Sequence, residues 1–303
     1  MDTIANLKAF LEVARAGSFV GAARRLRVAP SVVTKRVEQL EWRTGQRLFE
    51  RTTRRVSVTE AGRLFMPTAA RLVNDLDDAI AQLQKRPRAL EGRLRIKVPT
   101  TLSAFYLGGM LARFQNQHPN ITMDVLALDR PVDPVQEGFD MAIGMFPASF
   151  GGSVDVGLCA VPRLAVAAPA YLARNEAPRH PSELLRHQIL NFQPLGATWT
   201  FEGKTGPVAV SVTPRVDSND GLILLQNALE GNGVTLLTSY LLLPAIQAGR
   251  LVTLLPEFRV ADIWVRAMVP ENRMQIERVQ ALLDFLRAEF SPVPPWERNA
   301  GSA

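Results

Sequence analysis

At 303 residues, 47% hydrophobic and 21% charged, the chain has the balance of a soluble globular protein and more length than one core accommodates. A single cysteine, Cys159, excludes an internal disulfide framework. No run of about eighteen apolar residues occurs and the N-terminus carries no signal-peptide pattern, so a membrane span is not expected and a cytoplasmic location is.

The net charge of +6 is unevenly placed: residues 1–91 hold 17 Lys+Arg against 10 Asp+Glu, while residues 92–303 hold 18 against 19. Such a distribution suits a chain in which one module meets a polyanion and the other does not. In the basic part, Phe10, Val13 and Ala14 mark the inner face of a first helix ending near Gly17. Ser18 caps a second helix over Phe19 to Leu26, and its small residues Gly21, Ala22 and Ala23 permit close contact. After the turn Arg27-Val28-Ala29, a third helix starts at Pro30, where a missing N–H is harmless. Val33, Val37 and Leu40 face its core, leaving Ser31, Val32, Thr34, Lys35 and Arg36 mostly outside. This is a helix-turn-helix whose basic outer face fits a major groove. "RLFERTTRRVSV" reads as two short strands around Thr52–Arg55, a wing against phosphates or the minor groove. Because the basic residues cluster in a helix pair and a hairpin, duplex DNA is favoured over a membrane surface.

Thr59 caps a long helix predicted over residues 59–87. Phe65, Ala69, Leu72, Leu76, Ala79 and Leu83 follow the spacing of a coiled-coil seam, so the helix reads as a dimerisation linker. Packing on its own domain is the alternative under the same periodicity. Pro67 is expected to kink it. From Gly92 onward, strands such as Leu94–Val98 and Ile121–Leu126 alternate with amphipathic helices, the α/β signature. The tail, residues 292–303, is rich in Pro and small residues and is expected to be disordered. At Pro99-Thr100-Thr101 a strand turns into a helix. The hydroxyls of Thr100, Thr101 and Ser103 with the helix N–H groups would hold a small carboxylate, or would simply cap the helix.

The run "FLEVARAGSFVGAARRLRVAPSVVTKRVEQLEWRTGQRLFERTTRRVSVTEAG" resembles the winged helix-turn-helix of LysR-type transcriptional regulators, and the likeness extends over roughly residues 1–290. Its marks are "AGSF", "AARRL", "VEQLE", "LFERTTRRV" and "TEAG" in the family's order. Departures are Ala29 in place of Ser, Thr34-Lys35 in place of Ser-Arg, Thr44 before Gly45, and Gly144 where many relatives have Arg. Losing the Ser cap costs about 1 kcal/mol, and Lys offers a mobile point charge instead of a planar fork. The resemblance implies a multidomain protein: a winged helix-turn-helix (1–58), a linker helix (59–87), and a two-lobed α/β effector domain like periplasmic binding proteins (92–291). Lobe I would comprise 92–161 and 268–291, and lobe II 162–267. DNA-binding candidates are Ser18, Phe19, Pro30, Ser31, Val32, Thr34, Lys35, Arg36, Arg51, Thr52, Arg54 and Arg55. An effector of unknown identity would lie between the lobes, against Thr100, Thr101, Ser103 and the Leu128–Arg130 turn on lobe I. On lobe II the carried-over candidates are Phe201, Asn219 and the Thr238–Ser239 turn.

Expected partners are double-stranded DNA, a second copy of the chain in a dimer or dimer of dimers, and RNA polymerase; no cofactor is expected. The other reading is a small-molecule-binding or catalytic α/β protein with a basic interaction domain. Against catalysis, Cys159, His118, His180 and His187 form no constellation in the sequence, and their spacing is not that of metal ligands.

Overall fold

The computed structural model describes residues 2–51, 56–83, 90–145, 149–204 and 206–298. They fall into two compact units, one of residues 1–88 with 135–138 and one of residues 89–134 with 139–303.

The first unit opens with α1 (Thr3–Ala16), α2 (Phe19–Leu26) and α3 (Pro30–Thr44). Each boundary has a local cause. Asp2 Oδ1 accepts from Ala5 N at 3.0 Å and Ser18 Oγ from Gly21 N at 3.3 Å, capping the first two helices. Gly17, Arg27 and Gly45 close the three helices in the left-handed conformation. Helix α3 has no side-chain cap, because Ala29 carries no oxygen, and it starts on Pro30. Val33, Val37 and Leu40 are buried with Phe10, Val13, Ala22 and Ala23. Burial of each large side chain there contributes about 1.5–3 kcal/mol. A hairpin follows, β1 (Phe49–Arg51) antiparallel to β2 (Val56–Val58). Thr52, Arg54 and Arg55 lie outside the described residues, as does the Arg51 side chain.

Helix α4 (Glu60–Leu83) runs on through Pro67. Thr59 Oγ1 accepts from Gly62 N at 3.0 Å and donates to Arg47 O at 2.7 Å, tying the helix start to the hairpin. The seam expected on α4 is corrected by its packing. Ala69 is 0% exposed, and Phe65 and Val73 join it in the core of the helix-turn-helix, with the Phe65 ring 5.8 Å from that of Phe10. Leu72 (44% exposed), Leu76 (37%), Ala79 and Ile80 are left outside. The helix therefore has two apolar stripes, one used within the module and one open; the Leu83 side chain is outside the described residues.

The second unit begins with β3 (Gly92–Val98), α5 (Thr100–Leu102), a π-helical turn over Ser103–Leu107 and α6 (Gly108–Gln117). Then come β4 (Ile121–Ala127), β5 (Met141–Gly144) and β6 (Ser153–Val161). The chain next enters β7 (Arg163–Ala167), α7 (Pro169–Leu172), β8 (Ile189–Phe192), β9 (Thr198–Gly203), β10 (Gly206–Ser211) and β11 (Pro214–Ser218). It continues through α8 (Gly221–Leu229), β12 (Val234–Thr238), α9 (Ser239–Gln247), β13 (Val252–Leu254) and β14 (Arg259–Val260). Finally β15 (Ile263–Pro270), α10 (Glu277–Phe290) and α11 (Pro295–Arg298) return to the first sheet.

Two five-stranded mixed sheets result, ordered β4-β3-β5-β15-β6 in lobe I and β11-β8-β12-β7-β13 in lobe II. A three-stranded sheet, β10-β9-β14, adds to lobe II. The return crossing lies earlier than expected: β15 pairs with β6 from Ile263↔Val161 onward, so lobe I resumes at residue 263 and not at 268. The ladder to a lobe I strand decides membership. The tail is also corrected. Residues 292–298 are ordered, with Trp296 4% exposed and its ring 5.4 Å from Tyr106, 5.5 Å from Tyr240 and 6.0 Å from Phe290. One buried aromatic side chain outweighs the loop-forming composition around it.

Within lobe II, Tyr171 Oη accepts from Gln188 N at 3.0 Å and lies 3.1 Å from His187 Nδ1. The contact holds the His187 ring against the Tyr171 hydroxyl. Burial lowers the His187 pKa, opposed in part by Glu183. A base with a depressed folded pKa gives stability that is present above its unfolded value of about 6.5 and lost as pH falls through the folded value. The urea midpoint is thus expected to drop as pH falls below about 6.5, and His187→Gln is expected to flatten part of that drop. Parallel pH profiles for the two proteins would remove His187 from the account.

Candidate nucleic-acid interface and interlobe cavity

Helix α3 divides cleanly by burial. Its core face is Val33, Val37 and Leu40, and its N-terminal outer face presents Pro30, Ser31, Val32 and Lys35 to solvent with Thr34 and Arg36 half-buried. The Thr34 hydroxyl donates back to Pro30 O at 3.1 Å, so its methyl and lone pairs face outward while its hydrogen is engaged. Ser18 keeps its hydroxyl hydrogen for an outside acceptor, since the cap uses only a lone pair. Phe19 is different. Its ring meets Phe49 edge-on at 5.8 Å, so it serves the core at the start of α2.

A residue that the motif reading did not single out fixes this surface. Glu41 Oε1 accepts from Leu48 N at 2.8 Å and from Phe49 N at 3.1 Å, joining the far end of α3 to the first strand of the hairpin. The signal lay within "VEQLE", but periodicity gives a surface acid no partner seven residues away. Asn6 is buried and donates to Gln39 Oε1 at 3.3 Å, and Arg43 donates to Thr3 Oγ1 at 2.6 Å, so α1 braces the same helix.

In the second unit a cavity of about 30 Å³ lies where the lobes meet. Thr101 and Asp129 line it from lobe I, Arg163, Thr238 and Tyr240 from lobe II, with apolar walls such as Phe192 and Leu236. Thr101 Oγ1 and Tyr240 Oη are 3.0 Å apart across the junction. Burial pushes the Tyr240 hydroxyl pKa up, so it remains a neutral phenol. Arg163 donates through Nε and Nη2 to Ala261 O at 3.1 and 3.0 Å, and burial lowers its pKa.

The effector candidates divide around this cavity. Thr101 and Thr238 line it. Ser239 adjoins it, and its buried Oγ has no hydrogen-bond partner among the described residues. Thr100 gives both its N–H and its hydroxyl to the carboxylate of Asp129, and the Ser103 hydroxyl donates to Pro99 O. Leu128 N donates to Val98 O at 2.9 Å, and exposed Arg130 donates to Pro131 O at 3.3 Å. Two lobe II candidates are corrected. Phe201 is 0% exposed, packed in the lobe II core, and lines a separate cavity of about 120 Å³ beside β13 and β14. Asn219 is exposed, and Asp220 caps α8 by accepting from Leu222 N at 2.8 Å.

The cysteine and the histidines occupy separate settings. Burial, with Glu297 adding to it, pushes the Cys159 thiol up to about 12, so it is un-ionised at neutral pH. His118 packs on Phe114 at 4.7 Å, and His180 accepts from Ser182 N at 3.3 Å as a helix cap. Among the described residues no group of three His, Cys, Asp or Glu side chains is placed to hold a metal ion, and no helix is long and apolar enough to cross a membrane.

Residues 4–63 match the model of bacterial regulatory helix-turn-helix proteins of the lysR family, and residues 87–291 match that of the LysR substrate binding domain. The chain belongs to the LysR family of transcriptional regulators. This LysR-type protein is a DNA-binding transcriptional regulator with a substrate-binding effector domain. It is 32% identical over 291 residues to the HTH-type transcriptional regulator PtxR of Pseudomonas aeruginosa, covering 95% of this chain and 93% of that protein. It is 30% identical over 291 residues to the HTH-type transcriptional regulator DmlR of Escherichia coli, covering 94% of each. In fold it is similar to the full-length virulence activator AphB of Vibrio cholerae (TM-score 0.62, 24% identity, 94% of this chain and 98% of that one). It is also similar to CrgA of Neisseria meningitidis (TM-score 0.61, 26% identity, 95% and 98%). The expected class, a helix-turn-helix module with a two-lobed α/β regulatory domain, holds for this LysR-type regulator.

Proposed function

We propose that this regulator reads one operator through α3 and is tuned by a small molecule held between its lobes. The observation that carries the reading is the division of α3 into a buried apolar face and an open face of Ser31, Val32, Thr34, Lys35 and Arg36. Ser31, Val32 and Thr34 would touch base edges with Lys35 or Arg36. Ser18, the Ser31 N–H behind Pro30 at the uncapped start of α3, and Arg51, Thr52, Arg54 and Arg55 would serve the phosphates. Two copies would join through Leu72, Leu76, Ala79 and Ile80 of α4, setting two α3 helices in successive major grooves, and two such pairs would form a tetramer. A ligand that prefers one lobe arrangement shifts the balance between arrangements and so alters DNA bend and RNA polymerase contact. The site of action is the cytoplasm, and the effector domain binds its ligand without transforming it.

The test is duplex binding by the full chain at rising salt. Affinity is expected to fall linearly on logarithmic axes, and one site upstream of a regulated promoter should be preferred about a thousandfold or more over random duplex. Thr34→Ala and Lys35→Ala should change which base pairs are preferred, each by about 1–3 kcal/mol at the position read. Unchanged preference in both variants would take the reading role away from this face.

A further inference from the structure

The lobe I end of the interlobe cavity already contains an anion. The Asp129 carboxylate accepts from Thr100 N at 2.9 Å and from the Thr100 hydroxyl, and it lines the cavity. The other lobe I hydroxyls that would receive a ligand carboxylate are engaged as well, Ser103 with Pro99 O and Thr101 with Tyr240 Oη, while the Ser239 hydroxyl, without a partner among the described residues, belongs to lobe II. Among the described residues no Lys or Arg stands within 4 Å of Asp129, whose carboxylate is met directly by the two Thr100 donors, with Arg163 on the lobe II side of the cavity. An acid arriving at this end would have to displace a covalently tethered rival or sit beside a like charge, and the cation lining the cavity, Arg163 on the lobe II side, already gives two donors to Ala261 O.

We propose that Asp129 sets the ligand class of this cavity: a compact, mainly apolar amine whose ammonium is received by the Asp129 carboxylate. Each carboxylate oxygen accepts one bond from Thr100 and retains a lone pair for a donor from the ligand. An ammonium supplies that donor and the missing counter-charge together, in a charge-assisted bond. Phe192, Leu195, Leu236 and Ile263 form apolar walls for the remainder of the molecule. At about 30 Å³ the cavity holds one or two waters as it stands, so entry requires the lobes to part and the Thr101–Tyr240 bond to break. This rests on the interlobe cavity being the effector site.

The test uses the full chain with n-propylammonium chloride and sodium propionate at matched ionic strength, following the thermal unfolding midpoint. The expected result is a rise in midpoint with n-propylammonium and none with propionate. Asp129→Asn should weaken n-propylammonium binding about tenfold, the loss of one charge-assisted contact, whereas Asp129→Glu should retain the preference for amine. Stabilisation by propionate equal to that by the amine overturns the proposal while leaving the cavity as the ligand site. Undiminished amine binding in Asp129→Asn also overturns it. No shift with either compound overturns the cavity reading itself. The wild-type comparison decides the charge preference even where a variant does not fold.

Discussion

Gly62→Ala should lower the melting temperature of the DNA-binding unit and weaken its hold on every duplex. Helix propensity alone gives the opposite sign, since alanine within a helix is favoured over glycine by about 1 kcal/mol. The surroundings of Gly62 reverse it. A Cβ there would lie 2.5 Å from the Leu48 carbonyl oxygen and 2.7 Å from Val58 Cγ1. The first is backbone and the second a stiff β-branched side chain, so neither moves aside cheaply. Helix α4 and the hairpin would have to separate, straining the Thr59 contacts to Arg47 and Gly62. Overpacking of this kind costs about 3 kcal/mol, which exceeds the propensity gain. In a unit of this size, each net kcal/mol corresponds to about 4–8 °C. Circular dichroism melting of the two proteins measures it, and a variant that melts with or above the wild type would refute the close approach.

Trp296→Ala is expected to destabilise the second unit by about 3–5 kcal/mol, the range for removing a fully packed indole. Tyr106 belongs to lobe I and Tyr240 to lobe II, and Trp296 meets the first edge-on and the second at a tilt, so the void would open at their junction. Trp296→Phe separates packing from hydrogen bonding. The indole Nε1 is buried without a partner among the described residues, so phenylalanine loses volume but no hydrogen bond. It should retain most of the stability. Urea titration followed by far-ultraviolet dichroism reads the difference, and a Trp296→Ala midpoint within error of wild type would mean that the segment is not anchored.

The helix-turn-helix was legible because its determinants are local. Ser18, Gly17, Pro30 and the Val33-Val37-Leu40 spacing each act within a turn or two of helix, and the structure places them as that spacing predicts. Helix α4 was half legible. A 4-3-4-3 pattern reports that an apolar stripe is covered, not by what, and Phe65 and Ala69 are covered by their own module. The tail misled because proline and small residues outnumber one tryptophan in composition, whereas burial weights the tryptophan more heavily. The cavity was least legible. Asp129 meets Thr100 across 29 residues and Tyr240 meets Thr101 across 139, and no periodic rule links positions so far apart. The motif reading found the strand-to-helix turn, and the resemblance put the Leu128–Arg130 turn beside it without singling out Asp129.

The chain passes between the lobes twice, at Pro162 and at Ala261–Asp262, and the Arg163 guanidinium grips the second passage from the first. Two tethers side by side act as the pins of a door: swinging about the line through both is soft, while twisting across it stretches one tether against the other. Opening for a guest is thereby confined to a single arc, and whatever leaves this unit as a signal leaves as displacement along one fixed direction.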